Sequence, residues 1–155
     1  MTHQVYIRQA NVDDWDKVTG LAWVTFLEFE AKDYGPEGVR SFRDFLADEK
    51  LNRMFLLGEY VVFVAELNGR IVGLISLRSG NHISLLFVDR EFHHQRIGSR
   101  LLHYAEDYLR GEEQNVITVD SAPYALDFYR HFGYDAVSDE CVVSGIRYTP
   151  MEKKL

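Results

Sequence analysis

The chain of 155 residues has the length of one domain, and its 46% of hydrophobic residues is sufficient for a buried core. The formal net charge of -7 argues against nucleic acid and anionic membrane surfaces as general partners, because both require a basic face. Cys141 is the single cysteine, so neither an intrachain disulfide nor a cysteine zinc cluster can form. The first ten residues lack an apolar leader region, and no run approaches membrane-spanning length. We therefore expect one cytoplasmic domain over residues 1–155 that uses no metal.

The N-terminal third of the chain predicts one strand followed by helices. Residues 5–9 are a short strand candidate, and Asn11 is a helix N-cap followed by acidic residues in the first turn. Gly35 and Pro36 interrupt the helix, and residues 41–57 predict further helix with a break near Asp48. The apolar residues of the first helix recur at helical spacing, at Val12, Trp15, Val18, Ala22, Phe26 and Phe29.

Two apolar strands follow, over residues 60–67 and 70–77. They are joined by Asn68-Gly69, and Asn-Gly between such runs is the strongest short-range signal for a β-hairpin. Residues 79–81 form another turn. The next strand, over residues 83–88, is almost wholly apolar and is therefore predicted to be buried.

The segment that follows this strand predicts an anion site. Residues 89–96 are polar and charged and indicate a loop, and helical spacing of apolar residues begins at Ile97. Gly98 lies in the first turn of this helix. The first N–H groups of a helix have no internal partner and carry partial positive charge, and glycine allows a phosphate to approach the backbone closely.

The C-terminal part adds strands and one more helix. Residues 116–119 are a strand, Pro123 lies in the first turn of a helix, and Gly133 ends that helix. Residues 136–143 and 146–153 predict a closing hairpin. The order of elements indicates an α+β or mixed α/β fold with a central sheet.

Three short motifs in this order resemble those of the GCN5-related N-acetyltransferase (GNAT) superfamily. Residues 93–98 (HHQRIG) are similar to its pyrophosphate loop, Q/R-x-x-G-x-G/A, although His93 stands where Gln or Arg is usual and Arg96 replaces the first glycine. Residues 66–73 (ELNGRIVG) are similar to its hairpin motif, and residues 126–134 (LDFYRHFGY) to its FYxxxGF segment. The resemblance covers nearly the full length and implies a mixed, mostly antiparallel central sheet flanked by helices.

The resemblance implies acetyl-coenzyme A as acetyl donor. A backbone N–H near Phe87 or Val88 would polarise the thioester carbonyl, and the Tyr129 hydroxyl would lie near the sulfur and protonate the departing thiolate. For Tyr129 the alternative is a core tyrosine, and for the two arginines of the loop it is a solvated helix face. The loop residues implied in coenzyme binding are His93, His94, Gln95, Arg96, Ile97, Gly98, Ser99 and Arg100.

The sequence signals for the residues that would bind and deprotonate the acceptor amine are less specific than those for the coenzyme loop. Counted back without gaps from Gly98, His82 falls where histone acetyltransferases of this superfamily carry a catalytic glutamate, and imidazole titrates near neutral pH. A surface histidine at a strand end is the alternative. The resemblance also implies an acceptor pocket near Glu28, Glu30 and Asp33, whose carboxylates would attract a cationic amine or else form a solvated helix end.

The resemblance thus implies direct transfer of an acetyl group to a primary amine of a small molecule or peptide. A nucleophilic role for Cys141 is disfavoured because no base lies beside it in sequence. The alternative function is an acyl-coenzyme A-binding sensor or regulatory module without turnover. The identity of the amine and the formation of a homodimer stay open.

Overall fold

A computed structural model describes residues 4–155, which form an eight-stranded sheet with helices packed on both faces. The strands are β1 (Tyr6–Gln9), β2 (Val61–Leu67), β3 (Arg70–Arg78), β4 (His82–Val88), β5 (Val116–Ser121), β6 (Asp135–Ala136), β7 (Cys141–Val143) and β8 (Ile146–Lys154). The helices are α1 (Trp15–Phe29), α2 (Pro36–Ala47), α3 (Glu49–Leu56), α4 (Ile97–Gly111) and α5 (Leu126–His131). Within the described residues, no helix has both the length and the apolar character needed to cross a membrane.

The strand order is β1-β2-β3-β4-β5-β8-β6, with β7 pairing separately to β8. All neighbours are antiparallel except β4 and β5, which run parallel. This sheet confirms the predicted mixed, mostly antiparallel architecture. The parallel pair is short: His82 faces Thr118 and Ile83 faces Val119, and beyond these two pairs the strands separate. The sheet is therefore open between the C-terminal halves of β4 and β5.

Strands β2 and β3 are buried on both faces, which explains their nearly continuous apolar sequence. One face packs against α4, whose apolar positions follow helical spacing, and the other packs against α1, α2 and α3. Gly73 sets the closest approach of α4, because a Cβ there would lie 3.1 Å from the Leu101 side chain. The α4 side includes Phe63, Ile75, Leu101, Leu102, Ala105 and Leu109, and the α1 side includes Val18, Ala22, Phe26, Val64, Leu74 and Phe87.

Local sequence signals correctly fix several boundaries. The Asn11 side chain accepts a hydrogen bond from Asp13 N at 3.0 Å, as expected of an N-cap. Asp48 ends α2 and caps α3 by accepting from Lys50 N at 2.8 Å, so the predicted break is confirmed. Asn68 and Gly69 have φ of 50° and 80°, the left-handed conformations required by a tight hairpin turn.

Two predicted elements differ from the structure. Helix α2 begins at Pro36 rather than at residue 41, because proline fits the first helical position, where no N–H is needed. The single strand predicted over residues 136–143 was wrong, since β6 and β7 are separate and residues 137–140 lie outside the ladder. Both short strands pair with β8, and Pro150, which has no N–H to donate, lies between their pairing segments.

Candidate active site

The opening between β4 and β5 exposes backbone groups of β4. Asp89 N donates to Val72 O at 2.8 Å, and Leu74 pairs with Phe87. In an antiparallel pair, the residues whose N–H and C=O groups face the partner alternate with residues whose groups face away. The Phe87 N–H is therefore directed to β3, and the backbone groups of Leu86 and Val88 are directed into the opening.

A cleft of about 640 Å³ lies beside this opening; we call it the loop cleft. It is bounded by the end of α1, the loop after β4, the first turn of α4, and α5. Six predicted coenzyme-binding residues of the loop line it: His93, His94, Arg96, Ile97, Gly98 and Ser99. Gln95 does not line it, and Arg100 is directed elsewhere, because its guanidinium donates to Val5 O at 2.8 Å.

The loop bends sharply to start α4. Arg96 has φ of 64° and is the N-cap residue, without a capping side-chain hydrogen bond. His94 is also left-handed, at φ of 62°. A Cβ on Gly98 would lie 3.6 Å from the Phe128 ring, an ordinary packing distance, so packing alone does not require glycine there. The unpaired N–H groups at the start of α4 thus face the cleft, and no side chain of residue 98 stands between them and a ligand.

His93 bridges the loop and β4. Its Nε2–H donates to Val88 O at 2.8 Å, and its ring stacks on Phe29 with centroids 4.6 Å apart. A carbonyl oxygen can only accept, so His93 carries its proton on Nε2. One of the β4 backbone groups that face the opening is therefore already hydrogen-bonded to the loop.

A second cleft of about 520 Å³ continues from the first; we call it the hairpin cleft. It lies between α2, β4, β5 and the β7–β8 hairpin. His82, Arg78 and Asp120 line only this cleft. Both clefts share Glu30, Leu86, Phe87, Ala125 and Tyr129, so these residues mark their junction.

Beside the wall of the hairpin cleft that Ser41 and Ser144 line, α2 contacts the turn of the β7–β8 hairpin. A Cβ on Gly145 would lie 2.5 Å from Gly38 N, so the two main chains meet without an intervening side chain. The Ser41 hydroxyl donates to Ser144 O at 3.3 Å beside this contact.

His82 lies where β4 and β5 are still paired. Its Nδ1 is 2.7 Å from Thr118 Oγ1, and its Nε2 is 3.5 Å from an Asp120 carboxylate oxygen. Burial lowers the pKa of His82, the Asp120 charge opposes this shift, and Arg78 adds to it. The ring is therefore mostly neutral at pH 7, and the carboxylate favours the tautomer with the proton on Nε2. In that tautomer both nitrogens of His82 face a partner.

Tyr129 has a buried ring and an open hydroxyl. The residue is 4% exposed, and its ring lies 5.3 Å from that of Tyr134. Within residues 4–155 the Tyr129 hydroxyl has no hydrogen-bond partner. Every fully buried side-chain oxygen or nitrogen in these residues does have a partner, so the Tyr129 hydroxyl is not fully buried. The hydroxyl is therefore accessible from the junction. Burial, and secondly the Glu30 charge, raise the pKa of Tyr129, so it stays a proton donor at neutral pH.

Glu30 is the carboxylate at the junction. Burial, and secondly the charge of Asp33, raise the pKa of Glu30 to about 7. Among the described residues, the Glu30 carboxylate has no hydrogen bond and no ion pair. Because every fully buried side-chain oxygen in these residues does have a hydrogen-bond partner, the Glu30 oxygens are not fully buried and face the clefts that the residue lines. An accessible carboxylate that titrates near pH 7 can exchange a proton under physiological conditions.

The other predicted acceptor-side residues lie outside both clefts. Glu28 is 3.7 Å from the Arg90 guanidinium, and Asp33 acts on Glu30 only through its charge. Cys141 lies at the start of β7, outside either lining. In the described part of the chain, no group of three or more His, Cys, Asp or Glu residues is arranged to hold a metal ion.

Sequence reasoning missed much of the lining. Phe29 and Tyr124 line the loop cleft, and Tyr34, Phe42 and Tyr148 line the hairpin cleft. The aromatic content of 14%, with 10 Phe and 9 Tyr, was the available signal, because chains rich in aromatic residues often enclose a lined pocket. That signal is compositional and identifies no position.

The architecture, a sheet split at its parallel pair beside the start of a helix, defines an acyltransferase-like class of fold. The family model described as acetyltransferase (GNAT) domain matches residues 30–155, and the chain belongs to this family. This match confirms the family suggested by the sequence motifs. No protein of curated function matches the sequence significantly.

Solved structures share the fold over nearly the whole chain. A GCN5-related N-acetyltransferase from Rhodopseudomonas palustris has 24% identity and a TM-score of 0.85, covering 100% of this chain and 99% of its own. The PaiA N-acetyltransferase from Thermoplasma acidophilum, in complex with coenzyme A, has 20% identity and a TM-score of 0.83, covering 98% and 99%. An aminoglycoside 6'-N-acetyltransferase complexed with coenzyme A has 15% identity and a TM-score of 0.65, covering 96% of each chain.

Proposed function

We propose that the protein is a one-domain N-acetyltransferase that uses acetyl-coenzyme A and acetylates a primary amine of a small molecule or peptide directly. The observation that carries this proposal is the pair of clefts that meet at Glu30, Phe87 and Tyr129. In the reaction a C–N bond forms as the thioester C–S bond breaks, the amine loses a proton, and the thiolate gains one. A site for this chemistry needs an anion-binding end, an amine-binding end and a junction with proton-transfer groups.

The loop cleft fits coenzyme A. Coenzyme A carries the acetyl group as a thioester and presents a pyrophosphate. The N–H groups at the start of α4 would hold the pyrophosphate, aided by the space at Gly98. The backbone groups of Leu86 and the N–H of Val88, whose carbonyl oxygen is already bonded to His93, would hold the amide-containing arm and direct an N–H at the thioester oxygen. Arg96 lines the cleft and its guanidinium could pair with phosphate, whereas the Arg100 guanidinium is turned away.

Two side chains compete for the role of general base. Glu30 lies at the junction with free oxygens and a pKa of about 7, while His82 lies only in the hairpin cleft with both nitrogens facing partners. This difference favours Glu30 as the group that takes the proton from the amine. His82 then orients Asp120, and a water between His82 and the amine is the competing route.

Tyr129 would serve the sulfur. Its hydroxyl is accessible at the junction and stays protonated, so it can donate a hydrogen bond or a proton to the departing thiolate. Its ring is fixed among Phe128 and Tyr134, which would hold the hydroxyl in one place.

A thiol-release assay tests the proposal. The protein is incubated with acetyl-coenzyme A and representatives of several amine classes: monoamines, polyamines, aminoglycosides, amino acids and peptides. Coenzyme A release that depends on an amine supports the transferase. Tight acetyl-coenzyme A binding by calorimetry without release from any amine would instead support the non-catalytic acyl-coenzyme A-binding module. Mass spectrometry of the product distinguishes amide formation from hydrolysis of the thioester.

A further inference from the structure

The lining of the hairpin cleft narrows the choice of amine. We propose that the acceptor is a primary amine with one positive charge and an aromatic body, bound with its ammonium group at Glu30 and its ring in the hairpin cleft. This inference rests on the proposed acetyl transfer and specifies the substrate class of the same site.

The surface available for the body of the acceptor is mainly aromatic. Phe42 and Phe45 contribute from α2, Phe87 from β4 and Tyr148 from β8, and Tyr34 lies between α1 and α2. Apart from Phe87, each of these side chains is only partly buried by the protein. Aromatic rings pack best against another flat apolar group, in offset or edge-to-face arrangements. A cleft of about 520 Å³ has the size of a small-molecule site.

The cleft offers one free anionic group. Glu30 and Asp120 are the acidic residues in its lining within residues 4–155. Asp120 is engaged, because its carboxylate lies 3.9 Å from the Arg78 guanidinium and 3.5 Å from His82. Glu30 has no such partner. A single ammonium group therefore finds a single open carboxylate.

The remaining charge in the cleft opposes a second ammonium group. Arg78 lines the hairpin cleft but not the loop cleft, so it lies away from the junction. The distal ammonium of a diamine or polyamine would lie in a cleft where, among the described lining residues, the one further acid, Asp120, is already paired with this arginine. Like-charge repulsion and loss of water would both weaken its binding.

The same arrangement orients the acceptor. Glu30 lies at the junction with Phe87 and Tyr129, where the acetyl group would be presented. An ammonium group at Glu30 is therefore beside the reacting centre once it has lost a proton. The aromatic rings that line the hairpin cleft would hold the rest of the molecule.

Matched pairs of amines test the inference by thiol release. Phenethylamine and hexylamine differ in the ring, hexylamine and hexamethylenediamine differ in a second ammonium group, and phenethylamine and phenylalanine differ in a carboxylate. We expect the highest kcat/KM for phenethylamine. Hexamethylenediamine should be lower than hexylamine by on the order of 10- to 100-fold, the range that a single desolvated charge commonly produces. Kanamycin and a tripeptide complete the panel.

A charge variant gives a second readout. Arg78→Gln removes the repulsive cation and one of the two partners of Asp120, so the hexamethylenediamine-to-hexylamine ratio of kcat/KM should rise roughly tenfold. Arg43→Gln is the matched control, because Arg43 is an exposed residue outside both clefts that pairs with its neighbour Asp44 at 3.8 Å. Tyr148→Leu should raise KM for phenethylamine more than for hexylamine.

The outcomes of these assays test the aromatic monoamine assignment separately from the proposed acetyltransferase activity. Release with hexamethylenediamine or kanamycin as the best acceptor, or no change of ratio in Arg78→Gln, would overturn the monoamine assignment while leaving the acetyltransferase in place. A preference for phenylalanine or the tripeptide would overturn it as well. Absence of release with every amine would remove the proposed function and this inference together.

Discussion

Packing and ligand binding can be separated at Gly98. A methyl group fits there at 3.6 Å from Phe128, and an acidic residue in the first turn of α4 is favourable for the helix. Gly98→Asp should therefore remain folded, and if the loop binds the pyrophosphate as proposed, the added charge should lower acetyl-coenzyme A affinity by on the order of 10-fold or more. Calorimetry measures the Kd, with Gly20→Asp, at an exposed position of α1, as the control. Equal Kd values for Gly98→Asp and wild type would contradict the assignment of the loop.

Tyr129 can lose its hydroxyl without losing its ring. Tyr129→Phe keeps the contacts with Phe128 and Tyr134, so the fold should be unaffected. If the hydroxyl serves the sulfur, kcat should fall on the order of 10²- to 10⁴-fold with little change in coenzyme A Kd. Tyr104→Phe, on the outer part of α4, is the control. An unchanged kcat, with chemistry limiting the rate, would assign Tyr129 to the core alone.

The pH dependence of kcat/KM distinguishes Glu30 from His82. A general base works when deprotonated, so activity should rise with pH and level off above the pKa of the base. That midpoint is about 7 for Glu30, whereas burial lowers the pKa of His82 below its ordinary value. Glu30→Gln should abolish this limb and lower the rate on the order of 10²-fold or more. If His82→Ala removes the limb and Glu30→Gln leaves it, His82 is the base.

At the level of the element, the start of α4 contains a strained residue. A left-handed conformation costs a non-glycine residue about 1–2 kcal/mol, and Arg96 has φ of 64° where the family motif has glycine. Glycine removes this cost but adds entropy to the unfolded chain, so Arg96→Gly should change the free energy of unfolding by less than about 1 kcal/mol. Arg96→Val should lower it by about 1–3 kcal/mol, because β-branched residues fit this region poorly.

Urea denaturation measures both Arg96 variants, and Arg110→Val makes the same exchange in ordinary helical backbone. A loss in Arg110→Val as large as in Arg96→Val would show that left-handed strain is not the cause. Coenzyme A affinity of a stable Arg96→Gly variant then reports the contribution of the guanidinium separately from that of the loop backbone.

Elements were predictable where the cause is local. The Asn68-Gly69 turn, the Asn11 cap and the break at Asp48 each depend on the conformation or hydrogen bond of one or two residues, and each was read correctly from the sequence. The interrupted strand over residues 136–143 was not, because its pairing depends on β8, whose proline lies later in the chain.

The candidate site was predictable only in part, for the same reason. The loop before Gly98 has a local motif, but the engagement of Asp120 by Arg78 and His82 requires β3, β4 and β5 to be neighbours. The direction in which a side chain points could not be predicted from the sequence either. Arg100 belongs to the motif region and yet bonds to Val5 O, because the N-terminal segment passes close to α4.

For the whole molecule, Glu30 links the site to stability. Its pKa is raised in the folded protein to about 7, so the native state holds this proton more tightly than the unfolded chain does. The contribution of Glu30 to stability is therefore present below pH about 4.5 and is lost as pH rises through about 7. Glu30→Gln is neutral at every pH and should exceed wild type in stability at pH 8, by on the order of 2 kcal/mol.

Thermal or urea unfolding at pH 5 and pH 8 measures this effect. The advantage of Glu30→Gln should shrink at pH 5, where the wild-type carboxyl is largely protonated. Glu28→Gln, which removes a carboxylate outside both clefts, controls for the change in net charge. An equal advantage at both pH values would mean that the charge of Glu30 carries no stability cost in the fold.

The main-chain contact between Gly38 and Gly145 has a consequence for kinetics. Side chains in a protein wall can rotate aside within nanoseconds, but two touching backbones contain nothing that can rotate. Widening the cleft at this wall requires the β7–β8 hairpin to move as a unit away from α2, and collective movements of this kind take microseconds to milliseconds. Departure of an acetylated product through this wall would therefore proceed at the rate of hairpin displacement, independently of how fast the acetyl group is transferred.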